Sequence, residues 1–83
     1  MNTSIIETQI LEAADLIVAQ MQKGQAFSVK AIDSWIQAAM IATGDRARRI
    51  VRTEAQARLV ATGAIVRKDG KYAPGVTEGY VLA

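Results

Sequence analysis

The segment from Asp45 to Tyr72 limits what this chain can fold into more than any other. It reads DRARRIVRTEAQARLVATGAIVRKDGKY. The first part has the mixture of basic and apolar residues typical of an amphipathic helix, and Gly63 is a typical helix stop. The remainder has two short apolar runs on either side of an Asp–Gly pair, which favours a β-hairpin. The sequence therefore predicts a helix followed directly by a hairpin.

The predicted helix, residues 46–62, separates into an apolar side and a basic side. The apolar side comprises Ala47, Ile50, Val51 and Ala57. The opposite side spans about 140° on a helical wheel and comprises Arg48, Arg49, Arg52, Thr53 and Gln56. Because Leu59 lies off the apolar side, the last turn is predicted to tighten or end where Leu59 returns to the core.

Two further helices are predicted before it, at residues 4–23 and 29–42. Ser4 and Glu7 have the spacing of a capping box, and Ser28 is placed to cap the second helix. Apolar residues recur at steps of three and four in both segments, which predicts one buried stripe on each helix. The first stripe comprises Ile6, Ile10, Ala13, Ala14, Ile17 and Met21, widened by Leu11 and Val18, and the second comprises Val29, Ile32, Trp35, Ile36 and Ala39.

Turn-forming residues predict the remaining boundaries. Gly44 ends the second helix, and Asp45 is predicted to cap the third with its side-chain oxygen. Asp69–Gly70 is predicted to form the two-residue turn of a hairpin at residues 64–74. For residues 75–83 two alternatives remain, a third short strand or a tail that docks on the core.

The composition excludes several kinds of chemistry from this single predicted domain of 83 residues. There is no cysteine and no histidine, so there is no disulfide, no thiolate metal site and no imidazole base. Ser4 and Ser28 are explained as helix caps, and Glu12 and Asp15 lie on a polar helix face typical of a solvated surface. The sequence therefore predicts no enzymatic activity and no cofactor.

The N-terminal residues lack the basic, apolar and cleavage regions of a signal peptide. No apolar run approaches the roughly 20 residues that a transmembrane helix needs. We therefore expect a cytoplasmic protein without a membrane partner.

Positive charge is concentrated in the second half of the chain. Residues 1–45 carry two basic and five acidic side chains, whereas residues 46–83 carry eight basic and three acidic ones. Such asymmetry favours a polyanionic partner. Arginine, glutamine and threonine are side chains that read base edges in the major groove. The predicted nucleic-acid contacts are Arg46, Arg48, Arg49, Arg52, Thr53, Gln56, Arg67, Lys68 and Lys71.

The segment from Leu59 to Tyr72 resembles the helix end and wing of winged helix-turn-helix transcriptional regulators. In that family a leucine four residues before a glycine packs under the wing, an apolar pair opens the first wing strand, and basic residues flank a glycine turn. The matching residues here are Leu59, Gly63, Ile65, Val66, Arg67, Lys68, Gly70 and Tyr72. The resemblance covers residues 5–74, and it departs from the family at Gln56, where a leucine is common.

The resemblance implies a mainly α fold with a small β-hairpin, in which three helices are followed by a β-wing. It also implies that the third helix reads the major groove and the wing contacts the backbone. We therefore expect a small protein that binds double-stranded DNA, a transcriptional repressor or accessory factor acting by occupancy. A homodimer through the first helix or the tail would supply two half-sites, and the sequence leaves that open.

The main alternative is a winged-helix module for protein–protein interaction, an inhibitor or assembly subunit whose basic face meets an acidic partner. Ile5 and Leu16 lie outside the apolar stripe of the first helix, either as scattered surface residues or as part of such a contact. A third interpretation is an RNA-binding domain that uses the same basic face.

Overall fold

The computed structural model describes residues 3–83, with side chains from residue 6 onward. The elements along the chain are α1 (Thr3–Gln20), β1 (Phe27–Ser28), α2 (Val29–Ala38), α3 (Asp45–Ala61), β2 (Ile65–Arg67) and β3 (Gly79–Leu82). Three helices and one antiparallel sheet confirm the predicted α+β class. Because the side chains of Ser4 and Ile5 lie outside the described part, the capping box and the Ile5 contact stay predictions.

The core lies where the three helices meet the inner face of the sheet. Its buried apolar residues are Ile10, Ala13, Ile17, Met21, Ile32, Ile36, Ala42, Val51, Ala55, Ile65 and Tyr80. Most of the predicted α1 stripe is confirmed, but Ile6, Leu11 and Val18 are exposed. In the predicted α2 stripe, Ala39 is exposed because the helix ends at Ala38. Leu16, predicted to be a surface residue or a partner contact, packs against this core instead.

The start of α2 follows the predicted capping chemistry. The Ser28 hydroxyl accepts a hydrogen bond from the Ala31 amide at 3.1 Å, which satisfies a donor that the first helical turn leaves free. Trp35 is half-buried against the core and meets Phe27 edge-to-face, with ring centroids 5.0 Å apart. This aromatic pair holds β1 against α2.

The last strand is the centre of the sheet, since the strand order is β1-β3-β2. Phe27 pairs with Tyr80, and Ile65 pairs with Leu82, both in antiparallel register. Of the two alternatives for residues 75–83, the structure shows a third strand at Gly79–Leu82.

The predicted turn at Asp69–Gly70 is wrong, because the chain continues straight through it. Backbone hydrogen bonds extend the β2–β3 pairing beyond the strands, from the Lys68 amide to the Gly79 carbonyl at 2.8 Å and from the Gly70 amide to the Thr77 carbonyl at 2.9 Å. The chain reverses at Pro74–Gly75, where Gly75 has φ +74°. Proline followed by a glycine of positive φ is the pattern of a type II turn. The β2–β3 hairpin therefore spans residues 65–82, not 64–74.

The connection between α2 and α3 also differs from the prediction. Gly44 is the N-cap residue of α3, and Asp45 is its first helical residue, so Asp45 makes no capping hydrogen bond. α2 ends at Ala38, four residues earlier than predicted. Met40 has φ +56°, its amide donates to the Gln37 carbonyl, and the next amide donates to Ile36. This hydrogen-bond pattern is a Schellman motif in which methionine occupies the position that usually holds glycine.

Replacing Met40 with glycine should stabilise the protein. The left-handed conformation is unfavourable for a residue with a Cβ, and the Met40 side chain is 85% exposed, so little packing is lost. Allowing for the greater freedom of glycine in the unfolded chain, we expect a gain of about 0.5–1 kcal/mol in the free energy of unfolding. Chemical denaturation measures it. Met40→Ala keeps the Cβ and is the control, and an equal gain from that variant would contradict the explanation.

Candidate functional site

The structure divides the predicted basic side of α3 into two groups. Arg48 and Arg52 turn toward the protein, with side chains only 12% and 16% exposed. Gln56 is buried and lies on the core side of the helix. Arg49 and Thr53 face outward and are exposed, as is Arg46. The five side chains predicted to share one outward face therefore do not share it.

The prediction failed because the buried stripe of α3 lies elsewhere on the helix. Val51 and Ala55 are buried, and Leu59, four residues further on, packs against the core. The helix continues to Ala61, so no early end brings Leu59 inward. Ile50, predicted on the buried side, is 52% exposed, and Ala47 and Ala57 are exposed too.

Arg48 and Arg52 are held by Asp33 of α2. Arg48 Nε donates to Asp33 Oδ2 at 2.9 Å, and Arg48 Nη2 donates to Asp45 Oδ1 at 2.8 Å. Arg52 Nε lies 3.3 Å from Asp33 Oδ1 and forms an ion pair with it. The geometry is not that of a hydrogen bond, so this buried nitrogen has no hydrogen-bond acceptor. Asp33, with Asp45, raises the pKa of Arg48 above its ordinary value. These contacts join α2 to α3.

The residues that α3 exposes differ from the predicted set. They recur at spacings of three and four residues, which aligns side chains on one side of a helix. This outward face consists of Arg46, Arg49, Ile50, Thr53 and Ala57. Within residues 3–83, no carboxylate lies within 4 Å of Arg46 or Arg49. The outward face thus presents two unpaired guanidinium groups beside a hydroxyl and an apolar side chain.

Arg67 is held at the base of the β2–β3 hairpin. Its Nε donates to Asp69 Oδ1 at 2.7 Å, its Nη2 lies 3.9 Å from Glu78, and its guanidinium lies 6.0 Å from the centre of the Tyr80 ring. Arg67 holds the pKa of the Asp69 carboxyl below its usual value. Burial, together with a 2.7 Å hydrogen bond to Glu78, raises the pKa of Tyr80 to about 12. Arg67 is therefore occupied by contacts within the chain.

Lys68 and Lys71 are exposed on the same hairpin, and neither has an ion pair in the part of the chain that the structure describes. The hairpin therefore carries two free ammonium groups, besides the two free guanidinium groups of the outward face. Arg58, by contrast, hydrogen-bonds Glu7 and ties α3 to α1.

The hairpin depends on a close contact that the sequence did not reveal. The Tyr72 side chain lies over Gly79, so that a Cβ at residue 79 would be 2.5 Å from two ring carbons and from the hydroxyl oxygen. The Tyr72 hydroxyl donates to the Lys68 carbonyl. Tyr72 was matched to the wing pattern, but nothing in the sequence indicated its glycine partner. Ile50 was also missed, although the four-residue spacing of Val51, Ala55 and Leu59 would have placed it outside.

Comparisons with models of known protein families, with curated proteins and with solved structures found no match to this chain. No helix within residues 3–83 has both the length and the apolar character needed to cross a bilayer.

Proposed function

We propose that this protein is a winged helix-turn-helix domain that binds double-stranded DNA, with α3 in the major groove and the β2–β3 hairpin as the wing. The proposal is supported by the order of elements, in which a short β1 precedes α2 and pairs with the second strand of a hairpin that follows α3. It is also supported by the resemblance of residues 59–72 to that family.

One observation carries the proposal, namely the distribution of paired and unpaired cations on α3. The arginines that face the protein are held by carboxylates, whereas Arg46 and Arg49 extend from the exposed face without partners in the described chain. Unpaired arginines on an exposed helix are suited to base edges or phosphates. We assign base reading to this outward face and not to Arg48, Arg52 and Gln56.

The remaining outward residues have matching chemistry. The Thr53 hydroxyl can donate to or accept from a base edge, and the exposed Ile50 can contact a thymine methyl group. Lys68 and Lys71 of the hairpin would meet backbone phosphates, while Arg67 would keep the hairpin base in place. The protein would act by occupying its site, as a small repressor or accessory factor.

The rival interpretation, a module for an acidic protein partner, is less well supported. It drew on Ile5 and Leu16 as an exposed apolar contact, and Leu16 packs against the core of its own domain.

The test is the binding of wild-type protein to a labelled random duplex at several salt concentrations, measured by fluorescence anisotropy. With two to four cations on phosphates, log K should fall against log salt with a slope of about −2 to −4. A single-stranded RNA of equal length distinguishes the RNA interpretation. The absence of duplex binding at low salt would overturn the proposal.

A further inference from the structure

We infer that Asp33 limits the affinity of α3 for nucleic acid, because its carboxylate withholds Arg48 and Arg52 from the phosphates. The inference rests on the proposed function. It adds that a residue on α2 sets how many positive charges of α3 are available to DNA. Asp33 would act as an internal competitor for phosphate.

The geometry shows how one carboxylate restrains two arginines. Asp33 Oδ2 accepts from Arg48 at 2.9 Å, and Asp33 Oδ1 lies 3.3 Å from Arg52. Both guanidinium groups are mostly covered. The other partner of Arg48, Asp45, has a side chain that is 89% exposed and therefore holds the arginine more weakly.

These side chains form the wall of an open cleft between α2 and α3. Its volume is about 310 Å³, and it is lined by Val29, Lys30, Asp33, Asp45, Arg48, Arg49 and Arg52. Four of these residues are cationic and two are anionic. Without the Asp33 charge, the wall would have four cations against the single exposed carboxylate of Asp45.

The consequence concerns the affinity for DNA of any sequence. Binding to DNA of any sequence depends on how many phosphates are neutralised, and each one adds about 0.9 to the slope of log K against log salt. Withholding two arginines lowers binding to all sequences, whereas base contacts by the outward face favour only the matching site. Asp33 therefore lowers the sequence-independent part of the affinity, and discrimination between sites stays with the outward face.

The test is Asp33→Asn, with Asp15→Asn as the matched control. Asp15 is an exposed carboxylate on α1, so the control makes the same charge change away from the cleft. For Asp33→Asn we expect a salt slope on random duplex that is steeper by up to about 2 and an affinity at low salt about tenfold higher. Asp15→Asn should change neither by a comparable amount.

A second readout does not depend on DNA. Phenylglyoxal modifies accessible guanidinium groups, and mass spectrometry maps the modified residues. Arg48 and Arg52 should react faster in Asp33→Asn than in wild type, while Arg46 should react equally in both. In a wild-type background, Arg52→Gln should leave the salt slope unchanged, because Asp33 already withholds Arg52 from the phosphates. This variant provides the test if Asp33→Asn fails to fold.

The outcomes separate the inference from the proposed function. If wild type binds duplex but Asp33→Asn matches Asp15→Asn in slope, or Arg52→Gln flattens the slope, the inference is wrong and the function stands. If no variant binds duplex, the proposed function is wrong. The phenylglyoxal modification map then tests the role of Asp33 on its own. A faster reaction of Arg48 and Arg52 in Asp33→Asn supports Asp33 as the group that masks them from polyanions, and an unchanged rate overturns that role.

Discussion

Replacing Arg46 and Arg49 together with alanine should lower the affinity for a preferred DNA site by about 100-fold. A well-placed arginine contact to a base is worth about 1–3 kcal/mol, and these two guanidinium groups have no competing carboxylate in the described chain. Each single variant should lose about tenfold. The site is first selected from a random duplex library, and anisotropy then measures each dissociation constant.

Lys23→Ala is the matched control for the single variants, since it removes one exposed positive charge from the loop after α1. It should change binding by much less than Arg49→Ala at the same salt concentration. If Arg49→Ala and Lys23→Ala weaken binding equally, the arginine contributes only to net charge. The proposed role of α3 in the major groove would then be wrong.

Gly79→Ala should destabilise the β2–β3 hairpin by about 1–3 kcal/mol, the usual range for overpacking at a close contact. The added methyl group would overlap the Tyr72 ring, which would have to leave its place and give up its hydrogen bond to Lys68. For a domain of this size the midpoint of thermal unfolding should fall by about 4–8 °C per kcal/mol. Circular dichroism measures the midpoint.

Gly70→Ala is the control within the same hairpin. A Cβ at residue 70 would lie 3.9 Å from the Tyr72 ring, an ordinary contact, so this variant should have little effect. In a Tyr72→Ala background, Gly79→Ala should also lose most of its effect, which a double-mutant cycle measures. If Gly79→Ala is equally destabilising without the Tyr72 ring, the cause of the destabilisation lies in the backbone of β3 instead.

Local chemistry was sufficient to predict the helices and some of their boundaries. Ser28 caps α2 through its hydroxyl, and Gly63 follows α3 in a left-handed conformation, both as expected from their residue types. The Asp69–Gly70 turn failed because turn propensity acts over two residues, whereas register is fixed by burial along a whole strand. Ile65 and Tyr80 are both buried, and the register that places them there pairs Ile65 with Leu82 and Arg67 with Tyr80. This register requires the chain to reverse further on, at Pro74–Gly75.

The candidate site was harder to predict than the fold. Three predicted contacts, Arg48, Arg52 and Gln56, lie on the inward side of α3, because Val51, Ala55 and Leu59 set its orientation. Arginine at such positions is tolerated only when a carboxylate accompanies it. Here the carboxylate is Asp33, on another helix, and a long-range pair of this kind leaves no spacing signal in the sequence.

The central position of β3 also determines when each part of the molecule can form. The helices contact one another through short connections, but Phe27 and Tyr80 are roughly fifty residues apart in the chain, and their pairing must close that entire loop. We therefore expect the helices to associate before the sheet is complete. The pairing of β1 with β3 would be the last contact to form during folding. The amides at the tip of the β2–β3 hairpin, beyond the sheet, would exchange with solvent before those of the helical core.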